Sequence, residues 1–519
     1  MKKYLVFAAA ASLFAACSND DGAVAGPQQE AQQTAGEVAV GFDAYVNRAT
    51  TRAGLTGDIT AEAIKTAKVG FGVFAYHTNA DLYDQTFVPN FMYNQQVTYT
   101  PGTGSDPGTW GYTPIKYWPN EFGQDALSED VDKVSFFAYA PYVTVDAASG
   151  KVKSPASTTY DGDNGDKTYG IVGMKSNSAT GDPMVKYMAS FYTNKQVDLT
   201  WGTAGTANVT WDQKKMTTGS TPTNATQTIA KGLPWLNIEH PKATSISTQK
   251  VKFQFEHALA RLNVTVDTKA NSTSSAASPL NEIGTSASAT KVFIRSVTFE
   301  GFDMKGALNL NNAEENKALW FNFDCLSELN NGSEVTIKDG RTDGKEGVTA
   351  ATKELAAINP TFVQSDVWAS ATAGVTGTAA NLFGLWNSTD NKIDVITGEG
   401  AAEKPIYVIP NGDPLKVTIE YDVLTKDDNL VGKLNDGQTK GSVVKNVITR
   451  YITIGSSASG SAAAPTGYND ADGKGIKLVN GKKYTISLHL GLNSVEFDAD
   501  VTGWDTTNAT GGADLPHNN

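Results

Sequence analysis

Apolar residues in this chain recur at every second position, in short segments that follow one another from end to end. Val38, Val40, Phe42, Ala44 and Val46 lie on one face of "EVAVGFDAYV". Val251, Phe253 and Phe255 alternate in "VKFQF", then Leu262, Val264 and Val266 a few residues later. Tyr484, Ile486, Leu488 and Leu490 do the same near the C-terminus, followed by Val495, Phe497, Ala499 and Val501. Period 2 is the pitch of a strand with one face buried, and it conflicts with the 3.6-residue period of a helix. Windows of Leu, Glu and Lys at helical spacing are scarce, and Thr, Ser, Asn and Gly are abundant. The chain of 519 residues is too long for one core. The pattern therefore predicts an all-β protein of two tandem β-sandwich domains with few short helices.

The N-terminus addresses the compartment. Lys2 and Lys3 precede an apolar run, Tyr4 to Ala16, that is short for a membrane span and suits a signal peptide. It closes on "LFAAC", where Ala15 and Ala16 stand before Cys17, the pattern of a lipoprotein signal with Cys17 as the lipidated residue. The second cysteine, Cys325, then has no disulfide partner, so the fold is expected to hold without one. A net charge of −13 argues against a nucleic-acid partner.

Four segments follow. Residues 1–17 are the signal and lipid-attachment cysteine. Residues 18–52 are a polar tether and the 37–46 strand, ending in "NRATTRAG", whose Arg48 and Arg52 sit among small residues like a protease site. Residues 53–245 form the first sandwich and 246–519 the second, with the boundary at "HPKATSIS" and "HALARL" (257–262) read as a helical turn or a bulge.

Chemistry-bearing motifs are missing. "DADGKG" (470–475) lacks the upstream glycine and the Ser or Thr of a phosphate loop. "DGDNGD" (161–166) has Asp166 where a calcium loop needs Gly and Val172 where it needs Glu, so it reads as a solvated turn. The five histidines are far apart, and no Gly-x-Ser-x-Gly elbow exists. No cofactor, metal or catalytic residue is expected, and the chain is not expected to be an enzyme. A competing reading is a monomeric surface lipoprotein that binds glycans through Trp110, Trp118 or Trp386.

Taken in order, "FGVFAYHT", "FMYNQQV", "VSFFAYAPY", "FEHALARLNVTV", "VTFEGFDMKGALNL", "YVIP" and "LNSVEFDADVTGW" resemble the fimbrillin family, subunits of the type V pili of Bacteroides-like bacteria. "SNDDG" after Cys17 is similar to the surface-export signal of outer-membrane lipoproteins in such bacteria, and the tail "GWDTTNATGGADLP" looks like that of a major, shaft-type subunit. The resemblance implies transthyretin-like sandwiches, a precursor anchored by lipid in the outer membrane, and an arginine-specific surface protease. That protease would cut between Arg52 and Ala53, with Arg48 as second choice. The Val38–Val46 strand would then be lost and replaced by a donor strand from a neighbour in a homopolymer, alongside minor anchor and tip fimbrillins. The family places the donor in the C-terminal region, here Val495, Phe497, Ala499 and Val501 or the polar tail through Leu515; the 495–501 stretch reads equally well as the last strand of the second sandwich. Asp505-Thr506-Thr507 fits the O-glycosylation pattern of such bacteria.

Overall fold

A computed structural model describes residues 38–46, 65, 70–79, 81–103, 108–119, 132–152, 170–189, 196–215, 223–241, 249–267, 289–312, 318–321, 357–358, 380–381, 385–387, 392–394, 405–434, 438–452, 475–490 and 495–503. The protein is all-β, and its sheets stack as sandwiches. Among the described residues every named element is a strand, and Lys65 alone is helical.

The first half centres on an eight-stranded sheet. Its strands run Phe42–Val46, Val251–His257, Thr200–Thr203, Lys133–Ala140, Phe71–His77, Met92–Thr100 and Thr109–Gly111, with Trp235–Glu239 also pairing Lys133–Ala140. The central strands "FGVFAYH" and "KVSFFAYA" are apolar almost throughout because both sheet faces are covered. Phe71, Val73, Ala75, Phe136 and Ala138 enter one core with Trp118, Trp211, Trp235 and Phe253. Their neighbours Phe74, Tyr76, Phe137 and Tyr139 point the other way, into a second core with Tyr187, Trp201, Leu308, Trp320 and Tyr407.

The C-terminal sandwich packs a six-stranded sheet on a four-stranded one. The first holds Phe302–Asp303, Ile406–Pro410, Ala260–Asp267, Lys482–Leu490 and Val495–Gly503, with Ala380–Asn381 against Ala260–Asp267. The second runs Ala357–Ile358, Thr290–Glu300, Lys416–Lys426 and Gly441–Tyr451. Val264, Val417, Ile419, Tyr421, Ile486 and Leu488 fill the space between them. Ile406–Pro410 and Lys416–Lys426 stand either side of "NGDPL" yet lie in different sheets, so this turn crosses the core and is not a hairpin.

The sheets correct the boundary drawn at 245/246. Val251–His257 belongs to the first sheet, paired with Thr200–Thr203. The chain passes to the second sandwich through Ala258 and Leu259, both fully buried, and "HALARL" is that crossing and no helical turn. Lys305–Asn309 also returns to pair with Met184–Met188 in a sheet with Gly170–Met174 and Leu319–Phe321. A buried polar hub ties this return down. Asp182 accepts hydrogen bonds from Tyr83 Oη, Asn309 Nδ2 and Asn311 Nδ2, each at 2.9 Å.

Candidate functional site: the seat of the N-terminal strand

Residues 38–46 bond to two different segments in turn. At the start, the Val40 amide donates to the Lys116 carbonyl (2.9 Å) and the Trp118 amide to the Val38 carbonyl (2.8 Å), with Ala39 bridging Tyr117 in antiparallel sense. The Val251 amide then donates to the Gly41 carbonyl at 2.9 Å. From there Phe42–Val46 runs parallel to Val251–His257, Phe42 opposite Val251 and Val46 opposite Phe255. This places the segment at one end of the eight-stranded sheet, with its backbone engaged on two sides.

The alternation chosen in the sequence puts its apolar face inward. Val40 (1% exposed), Phe42 (2%) and Ala44 (6%) are buried in the first core, and Val38 packs on its margin. The Phe42 ring meets Tyr112 edge-on at 5.2 Å, Phe136 edge-on at 5.9 Å and Phe253 in a stack at 6.0 Å. Tyr112 closes the seat: its hydroxyl donates to the Val40 carbonyl at 2.9 Å. Burial pushes that phenol well above its ordinary range, so it stays a neutral donor. Val40 and Phe42 together represent roughly 3–6 kcal/mol of gross apolar burial, at about 1.5–3 kcal/mol per side chain. Emptying the seat would bare Phe253, Phe136 and Trp118 and orphan the amides and carbonyls that now bond to residues 38–46.

Sequence reasoning picked out the occupant but not most of its seat. Nothing local in the sequence marks Tyr112 and the 116–118 edge as partners of Val40. The alternation of Val251, Phe253 and Phe255 was the one available signal.

The remaining site residues divide by location. Cys17, Arg48, Arg52, Ala53, Leu515 and Asp505-Thr506-Thr507 lie outside the described residues, as do Cys325 and residues 161–166. The Val495–Gly503 strand pairs antiparallel with Lys482–Leu490 over its full length, Val495 opposite Leu490 and Phe497 opposite Leu488. Ala499 and Val501 pack, half-buried, on the C-terminal core. In this state the stretch is the last strand of the second sandwich. Of the tryptophans considered for glycans, Trp118 is buried between Phe136 and Trp211, and Trp110 leans on Phe71 and Tyr99. Among the described residues no group of three or more His, Cys, Asp or Glu could hold a metal ion.

No family model matches the chain, and no curated protein matches it. Solved structures do. A fimbrial protein from Bacteroides vulgatus is 17% identical, over 90% of this chain and 99% of its own, with a TM-score of 0.38. A candidate cell adhesion protein from Bacteroides uniformis is 14% identical, over 91% and 100%, at 0.32. The tip fimbrial protein Mfa3 from Porphyromonas gingivalis, truncated at its C-terminus, is 10% identical, over 84% and 100%, at 0.20. At these values the superpositions decide nothing about the seat of residues 38–46, whose geometry stands by itself.

Proposed function

We propose that this protein is a structural subunit of a surface fimbrium, shaft-type, made as an outer-membrane lipoprotein with no catalytic role, and that residues 38–46 are a placeholder strand. The observation that supports this is the pairing of a well-seated strand with a cleavable exit. Val40, Phe42 and Ala44 fill a core, yet the segment sits at the end of the sheet and leads directly into the Arg48 and Arg52 stretch. A strand at the end of a sheet can leave without dismantling the ladder behind it. Once a protease cuts after Arg52, the slot lined by Phe253, Phe136, Tyr112 and Trp118 accepts a strand from the next subunit. Strand addition supplies main-chain bonds for affinity and alternate side-chain pockets for fit. The contact is head to tail, so it propagates as an open filament. N-terminal sequencing of surface filaments tests the reading: a mature subunit starting at Ala53 agrees, and filaments built from chains still carrying residues 38–46 refute it.

A further inference from the structure

Among the described residues, Gly441–Tyr451 is the outermost strand of its sheet, eleven residues long and without proline. Val443 (39% exposed), Val444 (54%), Val447 (59%) and Tyr451 (45%) all face solvent. An edge this long and apolar is a template for another strand, and proteins that need no partner blunt such edges.

The ladder shows which backbone groups are on offer. The Asp427 amide donates to the Lys440 carbonyl (3.0 Å) and the Ile452 amide to the Leu415 carbonyl (2.9 Å). Hydrogen-bonded pairs recur at every second residue of an antiparallel ladder. Ser442, Val444, Asn446, Ile448 and Arg450 therefore turn their backbone toward Lys416–Lys426. Val443, Lys445, Val447, Thr449 and Tyr451 turn theirs outward. Gly441 follows the same parity, its amide going out to the Gly432 carbonyl at 3.0 Å.

We propose that a second copy of this chain docks here, the two Gly441–Tyr451 edges pairing antiparallel about a two-fold axis through Val447. The outward residues read the same in both directions in that register. Val443 meets Tyr451, Lys445 meets Thr449, and Val447 meets its own counterpart. An aromatic on a β-branched residue and valine on valine are favourable cross-strand pairs. No like charges are opposed, and Lys445 is already paired with Glu420 in its own chain. On the other face Val444 meets Arg450 and Asn446 meets Ile448. A shift that centres the pairing on Lys445 sets lysine against lysine. The other long edge, Val495–Gly503, is a poorer partner. Glu496, Asp498 and Asp500 stand at every second position along it, so all three lie in one row of the strand. Whichever row of Gly441–Tyr451 meets them holds a single cation, Lys445 or Arg450, so two of those three carboxylates would fall opposite uncharged residues. The contact is small and closed, so one pair is weak. It needs neither cleavage nor the slot of residues 38–46. If copies are strung in filaments as proposed above, the same contact ties two filaments side by side with the avidity of many repeats.

A single cysteine on the axis tests the register. In the full chain carrying Cys17→Ser and Cys325→Ser, Val447→Cys places two thiols about 5.5 Å apart at Cα, within reach of a short bis-maleimide. Val443→Cys alone sits about 27 Å from its counterpart, eight residues away at ~3.4 Å each. The expected result is a covalent dimer from Val447→Cys, none from Val443→Cys or Tyr451→Cys separately, and a dimer when those last two variants are mixed. Val447→Lys, at an exposed position, should weaken self-association in sedimentation velocity by roughly tenfold or more with its melting temperature unchanged. A Val447→Cys chain that stays monomeric under the reagent overturns the proposal. So does a Val443→Cys chain that links to itself as fast, or cross-linking of Val447→Cys to Asp498→Cys in place of itself.

Discussion

Phe42 stacks on Phe253, ring centroids 6.0 Å apart and planes 19° from parallel, and the two residues are separated by most of the first half of the chain. This contact joins the segment proposed to be discarded to the strand that would stay. Phe42→Ala should therefore destabilise the precursor by about 3–5 kcal/mol, the usual cost of a large buried aromatic. A mature subunit that begins at Ala53 lacks Phe42 altogether, so the same substitution should leave its thermal melting unchanged. Comparing melts of uncut and cut protein from one preparation checks this. Equal losses in both would mean that Phe42 is still present after maturation.

Removing the cut should stop assembly without harming the fold. Arg48→Ala with Arg52→Ala leaves Val40, Phe42 and Ala44 in the chain, so the seat should remain filled and the precursor should melt like wild type. Electron microscopy should find no fibres. Normal fibres from the double variant would remove the placeholder mechanism.

The seat's occupant was readable from sequence because a half-buried strand announces itself by alternation: Val38, Val40, Phe42 and Ala44 follow period 2 without a break. Its lining was not, because Lys116, Trp118 and Phe253 are brought to it by chain crossings that no local signal encodes. The same distinction runs through the fold. Strands such as Lys482–Leu490 were legible, but not the parallel pairing of Leu262 with Tyr484 across the C-terminal sandwich. The boundary at 245/246 erred for a related reason. A change in local texture was taken for a change of domain, whereas Val251–His257 carries that texture while completing the first sheet.

Asp303 gives the C-terminal sandwich a pH dependence. Its carboxyl is buried beside the end of Ile406–Pro410, and burial raises its pKa to about 7, against a partial offset from the Asn411 side chain donating at 3.4 Å. The folded chain thus holds a proton that the unfolded chain releases at the ordinary carboxylate value of about 4. Stability from this group is present below that value, is lost as pH rises toward 7, and is level above it. Asp303→Asn keeps an acceptor for Asn411 and cannot ionise. Its melting temperature should show a flatter profile between pH 4 and 7 than wild type and should match or exceed wild type at pH 8. Parallel profiles over that range would show that Asp303 titrates normally.

The last expectation separates the two candidate donors. Val495–Gly503 pairs with Lys482–Leu490 through nine residues, and Ala499 and Val501 pack on the C-terminal core. Deleting 495–519 should therefore strip a folded strand, bare the edge of Lys482–Leu490, and yield aggregated or degraded precursor. Residues 505–519 are mostly polar, with Ala509, Ala513, Leu515 and Pro516 as their apolar content, so deleting them removes little that an intramolecular core could use. That shorter deletion should leave the precursor's melting temperature unchanged. If the tail is the donor, the same deletion should also abolish fibre growth, because the cut subunit would have an open slot and nothing to offer its neighbour. Fibres at wild-type length and number from the 505–519 deletion would assign the role to another segment. Val495–Gly503 could take it only by first leaving the sheet in which it now lies, at the cost of its whole ladder with Lys482–Leu490. Protection of Lys482–Leu490 amides from hydrogen exchange, lower in fibres than in precursor, would report that departure.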